Sequence, residues 1–209
     1  NDREEAAYFY DDLNNLGFAE NTLFFPSSYK RSIQFDDLEQ ENIVQRTEVL
    51  NKVSLNQKKY IIISYPEAVV ETVITKAGLE TNTLQVKKGD NISTDFINEF
   101  LYEYGFERVD FVYEPGQFSI RGGIVDVFSY ANDFPFRIEF FGEEVESIRT
   151  FDAATQLSIN THAFFNVIPN IQGQLSIDSQ EDIFTFLGQD LSCWMSSYER
   201  MESILRKEY

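Results

Sequence analysis

The chain has few residues suited to nucleophilic or metal chemistry. Among its 209 residues there is one histidine, His162, and one cysteine, Cys193, standing 31 positions apart with no supporting motif. A catalytic Cys–His pair is therefore a poor reading, and Cys193 beside Trp194 reads as ordinary packing. A single cysteine also excludes an intramolecular disulfide and a cysteine-based zinc cluster. Phosphate cradles are missing too. Neither G-x-x-x-x-G-K-[ST] nor G-x-G-x-x-G occurs, so nucleotides lack their usual backbone nest. Gly122–Gly123 reads instead as a bulge or twist point in a sheet.

Paired carboxylates are the remaining catalytic option, because Asp126 and Glu139 fall on neighbouring predicted strands. Many metal-dependent nucleases hold Mg²⁺ with an Asp and a Glu two residues before a Lys. Here Phe140–Phe141 follow Glu139 and the Lys is missing. A solvated acidic strand face is the plainer account. The most informative stretch is Phe136-Arg137-Ile138-Glu139-Phe140-Phe141-Gly142. Alternation puts Phe136, Ile138 and Phe140 on one face, the core side, and Arg137, Glu139 and Phe141 on the other. An aromatic on the wetter face, framed by Arg and Glu, suits the centre of a protein-docking surface. Arg121, opposite in direction to its neighbour Ile120, can join them from an adjacent strand. The competing structural account places Phe141 under a helix and pairs Arg137 with a local carboxylate.

Charge bounds the partners. There are 17 Lys and Arg against 35 Asp and Glu, a formal net charge of −18. Eight cations face fourteen carboxylates over residues 1–81, six face fourteen over 82–169, and three face seven over 170–209. Direct binding to nucleic acid or anionic lipid is disfavoured, since phosphate recognition needs clustered Lys and Arg. With 43% hydrophobic residues and 20 Phe, the chain is too apolar for a disordered acidic tail. Apolar runs such as Tyr60–Ile63 are far short of a membrane span. The first residue is Asn, with no basic and apolar leader after it. The expectation is a soluble interior piece of a longer cytosolic protein.

The elements that must position these residues follow from patterning. Residues 3–16 read as a helix capped by Asp2 and closed by Gly17, and Thr22–Phe25 as a short buried strand. Asn42–Val53 is helical in pattern. Tyr60–Tyr65 reads as a strand buried on both faces of a parallel sheet, with a helix from Pro66 to about Ala77. Strand and helix thus alternate over the first 80 residues, an α/β arrangement. From Leu84 the pattern changes. Ser93 caps a helix through Tyr104 with Phe96, Ile97, Leu101 and Tyr104 inward, and Gly105 stops it. Strand-like runs follow at Val109–Tyr113, Gln117–Arg121, Ile124–Phe128, Phe136–Phe141 and Val145–Phe151, the pattern of an antiparallel meander. After Pro169 the chain turns polar, then helical from Ser179.

The run Tyr113-Glu114-Pro115-Gly116-Gln117-Phe118-Ser119-Ile120-Arg121-Gly122-Gly123-Ile124-Val125-Asp126-Val127-Phe128 resembles the UvrB-like module of the bacterial transcription-repair coupling factors. So do Pro135–Arg149 and Phe151–Gln156, with Lys87–Asp90 and Gly105–Asp110 matching the start of the same domain. The match is dense over about 84–169, looser before it and weakest after 170. The excision-repair protein UvrB shares this domain, but Glu114-Pro115-Gly116-Gln117 and the Gly-Gly after Arg121 are similar to the coupling factor. The resemblance implies α/β plus α+β architecture. Residues 1–83 would be the later part of a degenerate RecA-like parallel-sheet domain, 84–169 a small antiparallel-sheet domain with a helix that docks UvrA, and 170–209 a helical return segment.

By the same resemblance the partner-binding residues are Arg121, Arg137, Glu139 and Phe141, the face that alternation singles out independently. The fragment itself would be non-catalytic, without cofactor or metal. The parent would be a cytoplasmic, ATP- and Mg-dependent DNA translocase that meets RNA polymerase and DNA through other domains. Helicase motifs are not visible here, nor is UvrB's Tyr-rich damage-probing hairpin. Ser129 stands where the family usually has Pro, and a local change in that turn is expected. The alternatives are the corresponding segment of UvrB, which an intact Walker A motif upstream would favour, and a nuclease fragment using Asp126 and Glu139.

Overall fold

The expected N-terminal cap forms. Asp2 accepts a hydrogen bond from the Glu5 amide at 3.1 Å and starts helix α1 (Arg3–Leu13). In this computed structural model, which describes residues 2–28, 36–55, 58–171, 179–195 and 197–208, the helix ends sooner than its pattern suggests. A wider turn takes over at Asn14–Phe18, where Gly17 adopts φ +92°. The chain divides into two compact units, Asn1–Glu80 with Gln172–Tyr209, and Thr81–Ile171. Among the described residues, no helix is long and apolar enough to cross a membrane.

In the first unit, β1 (Thr22–Phe25) and β2 (Ile61–Ser64) pair in parallel, with Leu23 opposite Ile62. Helices α1 and α2 (Asp36–Ser54) pack on β1. β1 is wholly buried, but the double burial expected of β2 does not occur. Ile61 is 42% exposed, because among the described residues no strand lies on β2's far side. Arg46 on α2 is fully buried, donating to the carbonyls of Pro26 (2.7 Å) and Ala68 (3.3 Å) and pairing with Glu71 at 3.2 Å. Burial lowers its pKa from the ordinary value, and Glu71 and Tyr65 oppose that shift.

The helix expected over Pro66–Ala77 is broken into α3 (Pro66–Val69), strand β3 (Val73–Ile74) and α4 (Lys76–Thr81). The stretch from Val69 to Thr75 is rich in β-branched residues, whose stiff χ1 angles favour extended backbone. β3 takes its partner from far along the chain, pairing with Gln180–Glu181 (β12). Ser179 onward is likewise not one helix. After β12 come α6 (Ile183–Leu187), capped by Asp182 on the Thr185 amide at 3.0 Å, an irregular exposed stretch, and α7 (Tyr198–Glu208). In that stretch Cys193 is exposed and Trp194 is 94% exposed, so the packing expected of this pair is absent.

The second unit holds the main sheet. β5 (Glu107–Arg108), β6 (Gln117–Arg121), β7 (Ile124–Val127), β8 (Phe136–Phe141), β9 (Glu144–Phe151) and β10 (Ser158–Thr161) lie side by side in chain order. All neighbours are antiparallel except β5 and β6, which are parallel. β4 (Leu84–Lys87) pairs with β11 (Phe164–Val167), and α5 (Thr94–Glu103) is capped by Ser93 on the Phe96 amide. One core joins them through Ile97, Leu101, Phe118, Val125, Ile138 and Phe165. Each such side chain contributes about 1.5–3 kcal/mol by leaving water. Phe96, expected inward, is 50% exposed, because Ile97 and Leu101, one turn apart, define the buried stripe.

Two differences shape the site. The strand expected at Val109–Tyr113 is not formed; β5 ends at Arg108 and the chain crosses the sheet's outer face instead. There Val109 and Val112 cluster with Phe128 and Phe151. Its polar backbone groups find side chains rather than a ladder, since Gln117 Oε1 accepts from the amides of Tyr113 (3.0 Å) and Glu114 (3.1 Å). Ser129 does more than adjust a turn. Fully buried, its Oγ donates to the Ile168 carbonyl at 3.1 Å and accepts from the Ile168 amide at 2.9 Å. A pyrrolidine ring offers neither bond. Ser129→Ala leaves both Ile168 groups without this hydroxyl, and urea denaturation should show a loss of about 1–3 kcal/mol.

Candidate functional site

The outer face of the sheet is built from three adjacent strands. In β8 the alternation holds as read: Phe136, Ile138 and Phe140 are buried and Phe141 is 79% exposed. Register then decides which charges meet. Asp126 on β7 stands directly opposite Arg137 on β8 and Ser119 on β6. Arg121 reaches the same carboxylate from the end of β6. Gly122–Gly123 is the two-residue turn of the β6–β7 hairpin, rather than a bulge. Gly122 adopts φ +59°, and a Cβ on Gly123 would sit 3.0 Å from the Phe140 carbonyl oxygen of β8. Both glycines are therefore needed where Arg121 ends its strand.

Asp126 is the centre of this face and is completely buried. Arg137 binds it with two parallel hydrogen bonds, Nε to Oδ1 at 2.7 Å and an Nη to Oδ2 at 2.8 Å. Arg121 adds a third at 2.5 Å to Oδ2. Arg137 pairs with a local carboxylate, as the competing account has it, and its side chain stays only 17% exposed on the face. The hydrogen bond that Arg137 donates to Asp126 raises its pKa above the ordinary value, burial opposes this, and the charges of Asp126 and Glu139 add to the rise. Both guanidiniums also lie over aromatic rings, Arg137 at 4.4 Å from the Phe151 centroid and Arg121 at 5.2 Å from that of Phe111. Two long side chains are thereby held in one geometry.

Residues outside the predicted set complete the arrangement. Arg121 also donates to the Asp110 carbonyl (2.6 Å) and to Ser119 Oγ (2.9 Å). Gln156 Oε1 accepts from Arg137 at 3.1 Å, while its Nε2 donates to the Ala153 carbonyl. Gln156 sits at φ +61°, an unusual backbone for a side-chain-bearing residue, in the turn organised by Asp152. Asp152 accepts from the amide and hydroxyl of Thr155, and these bonds hold its pKa below the usual carboxylate value. Glu139 is engaged by Ser147 at 2.8 Å and by Arg149. Hairpin spacing carries a signal for the register of Asp126 against Ser119, whereas the eight-residue connection from β7 to β8 carries none for its pairing with Arg137. The role of Gln156 has no such signal, because a positive φ at Gln is not encoded in its type.

Both oxygens of Asp126 accept from arginines and Glu139 is paired separately, so the two carboxylates are committed to cations of the chain itself. Among the described residues, no group of three or more His, Cys, Asp or Glu is placed to hold a metal. His162 is likewise structural. Its Nε2 lies 3.2 Å from the Thr150 hydroxyl, and its ring meets Phe136 edge-on at 5.2 Å.

A largely antiparallel sheet backed by one helix, with an arginine pair fixed on one face and an exposed aromatic beside it, makes the Thr81–Ile171 unit an α+β module. Residues 84–172 match the family described as the UvrB interaction domain. The transcription-repair-coupling factor of Bacillus subtilis (strain 168) is 33% identical over 166 residues, 79% of this chain and 14% of the relative. That of Haemophilus influenzae is 33% identical over 114 residues, 54% of this chain and 10% of the relative. The Escherichia coli (strain K12) protein is 28% identical over 130 residues, 62% and 11% respectively. The chain is homologous to part of the transcription-repair-coupling factors, with its residues 84–172 matching the UvrB interaction domain. It spans only a small fraction of the length of those relatives.

Proposed function

We propose that the outer face of β6–β8 docks UvrA and so brings the excision-repair machinery to stalled RNA polymerase. Arg121, Arg137, Glu139 and Phe141 are its contact residues. The observation that carries this reading is Phe141: 79% exposed at the end of a strand whose neighbouring outward charges are all fixed by intramolecular partners. An acidic chain with a small arginine and aromatic patch suits a protein partner rather than DNA. The chain acts as a non-catalytic part of a longer bacterial cytoplasmic protein. ATP and Mg would serve that parent's DNA translocation, and contacts to RNA polymerase and DNA would belong to its other domains. Residues 1–83 are read as the later part of a degenerate RecA-like domain, a reading that the parallel β1–β2 pair with helices α1 and α2 packed on β1 supports. Calorimetric titration of UvrA with the chain should give saturable binding that Phe141→Ala and Arg137→Ala both weaken. Wild-type affinity for both variants would refute the proposal.

A further inference from the structure

Beside the arginine pair, at the β5 edge of the sheet, lies an open cleft of about 790 Å³ lined by Tyr102, Arg108, Phe111, Ser119, Ile120 and Arg121 among others. It exists because β5 is only two residues long and pairs just Gln117 and Phe118, leaving the edge uncovered alongside Ile120. Two aromatic side chains stand half-exposed in its walls. Tyr102 is 52% and Phe111 51% exposed, and Tyr102 is held in place edge-on against the buried Phe118 at 5.3 Å. Ser119 and Arg121 belong to both the cleft and the outer face, so the two surfaces are continuous.

The charges in the cleft are not equivalent. The Arg121 guanidinium donates to Asp110, Ser119 and Asp126 and is largely spent within the chain. Arg108 is exposed, and its side chain makes no hydrogen bond or ion pair with any described residue. Asp110 is the one acidic residue in the lining, against these two arginines, in a chain whose formal net charge is −18. A free guanidinium beside two half-exposed aromatic rings matches a carboxylate followed or preceded by an apolar side chain.

Resting on the docking reading above, we infer that this cleft extends the interface and receives an acidic segment of UvrA, with Arg108 meeting its carboxylate and Tyr102 and Phe111 its apolar side chain. Arg108 is thus a further docking residue. The test is a titration of UvrA with the 209-residue chain carrying Arg108→Ala, Arg108→Glu or Phe111→Ala, with Phe141→Ala alongside. Since the Arg108 side chain bonds nothing among the described residues, its variants should keep the wild-type circular dichroism spectrum and melting temperature. Arg108→Glu should weaken binding by about tenfold or more, beyond Arg108→Ala, because it puts like charges together. Arg108→Ala should also flatten the dependence of affinity on salt. Phe111→Ala should weaken binding as well. If Phe141→Ala is weakened while the Arg108 and Phe111 variants bind as wild type, the cleft lies outside the interface and the inference fails alone. If Phe141→Ala also binds as wild type, the docking reading fails first and takes the inference with it.

Discussion

Asp126→Ala should destabilise the Thr81–Ile171 unit by about 3–5 kcal/mol, the usual cost of removing one partner from a buried ion pair. The reason is the asymmetry of the site. Asp126 has no exposed surface and takes three hydrogen bonds from two guanidiniums. Its loss leaves Arg137, which retains Gln156 and the Phe151 ring, packed against a cavity with an uncompensated charge. Asp126→Asn keeps the shape and one acceptor oxygen, so its loss should be intermediate. Urea denaturation followed by far-ultraviolet circular dichroism measures both. A midpoint unchanged in Asp126→Ala would mean that the arginines are held by their aromatic and carbonyl contacts alone. The folded fraction of either variant should also bind UvrA more weakly, because the guanidiniums then spend ordering entropy at the moment of docking.

Phe141→Ala should show the opposite division of effects. With 79% of its surface already in water, the ring contributes little to folding, and the stability change should stay within about 0.5 kcal/mol. At the centre of an interface, truncating such an aromatic costs on the order of 2 kcal/mol or more, which is about 30-fold in dissociation constant. The neighbouring Arg137→Ala mixes both costs, since its side chain is bound to Asp126 as well as partly exposed on the face. Phe141→Ala therefore separates docking from folding more cleanly than any arginine variant. A fall in melting temperature of the size expected for Asp126→Ala would place Phe141 in a structural role and remove the basis for the docking face.

Much of this face is legible in the amino-acid sequence, and the reason is periodicity. β8 alternates without interruption, so burial of Phe136, Ile138 and Phe140 fixes the direction of Arg137, Glu139 and Phe141. The hairpin over Gly122–Gly123 has the two-residue spacing that brings β6 and β7 into register. Local patterning fails where a residue's partner lies far along the chain. Val73–Ile74 is a strand because Gln180–Glu181 comes to meet it, and no local window contains that pair. Ser129 reads as a turn substitution because Ile168, its partner in two hydrogen bonds, is 39 residues away. Val109–Tyr113 has strand composition but serves as a cover over Phe128 and Phe151. That cover supplies Phe111 and the Asp110 carbonyl to the cleft, so the cleft and the part Arg108 plays in it have no local signal either.

If UvrA meets this chain on the outer face of β6–β8, proximity at Phe141 reveals it most directly. A benzoylphenylalanine photo-cross-linker in place of Phe141 should join the chain covalently to UvrA on irradiation. The same group in place of Phe96, 50% exposed on the helix that backs the sheet's inner face, should not. A cross-link from position 96 without one from 141 would contradict the assignment of the docking face.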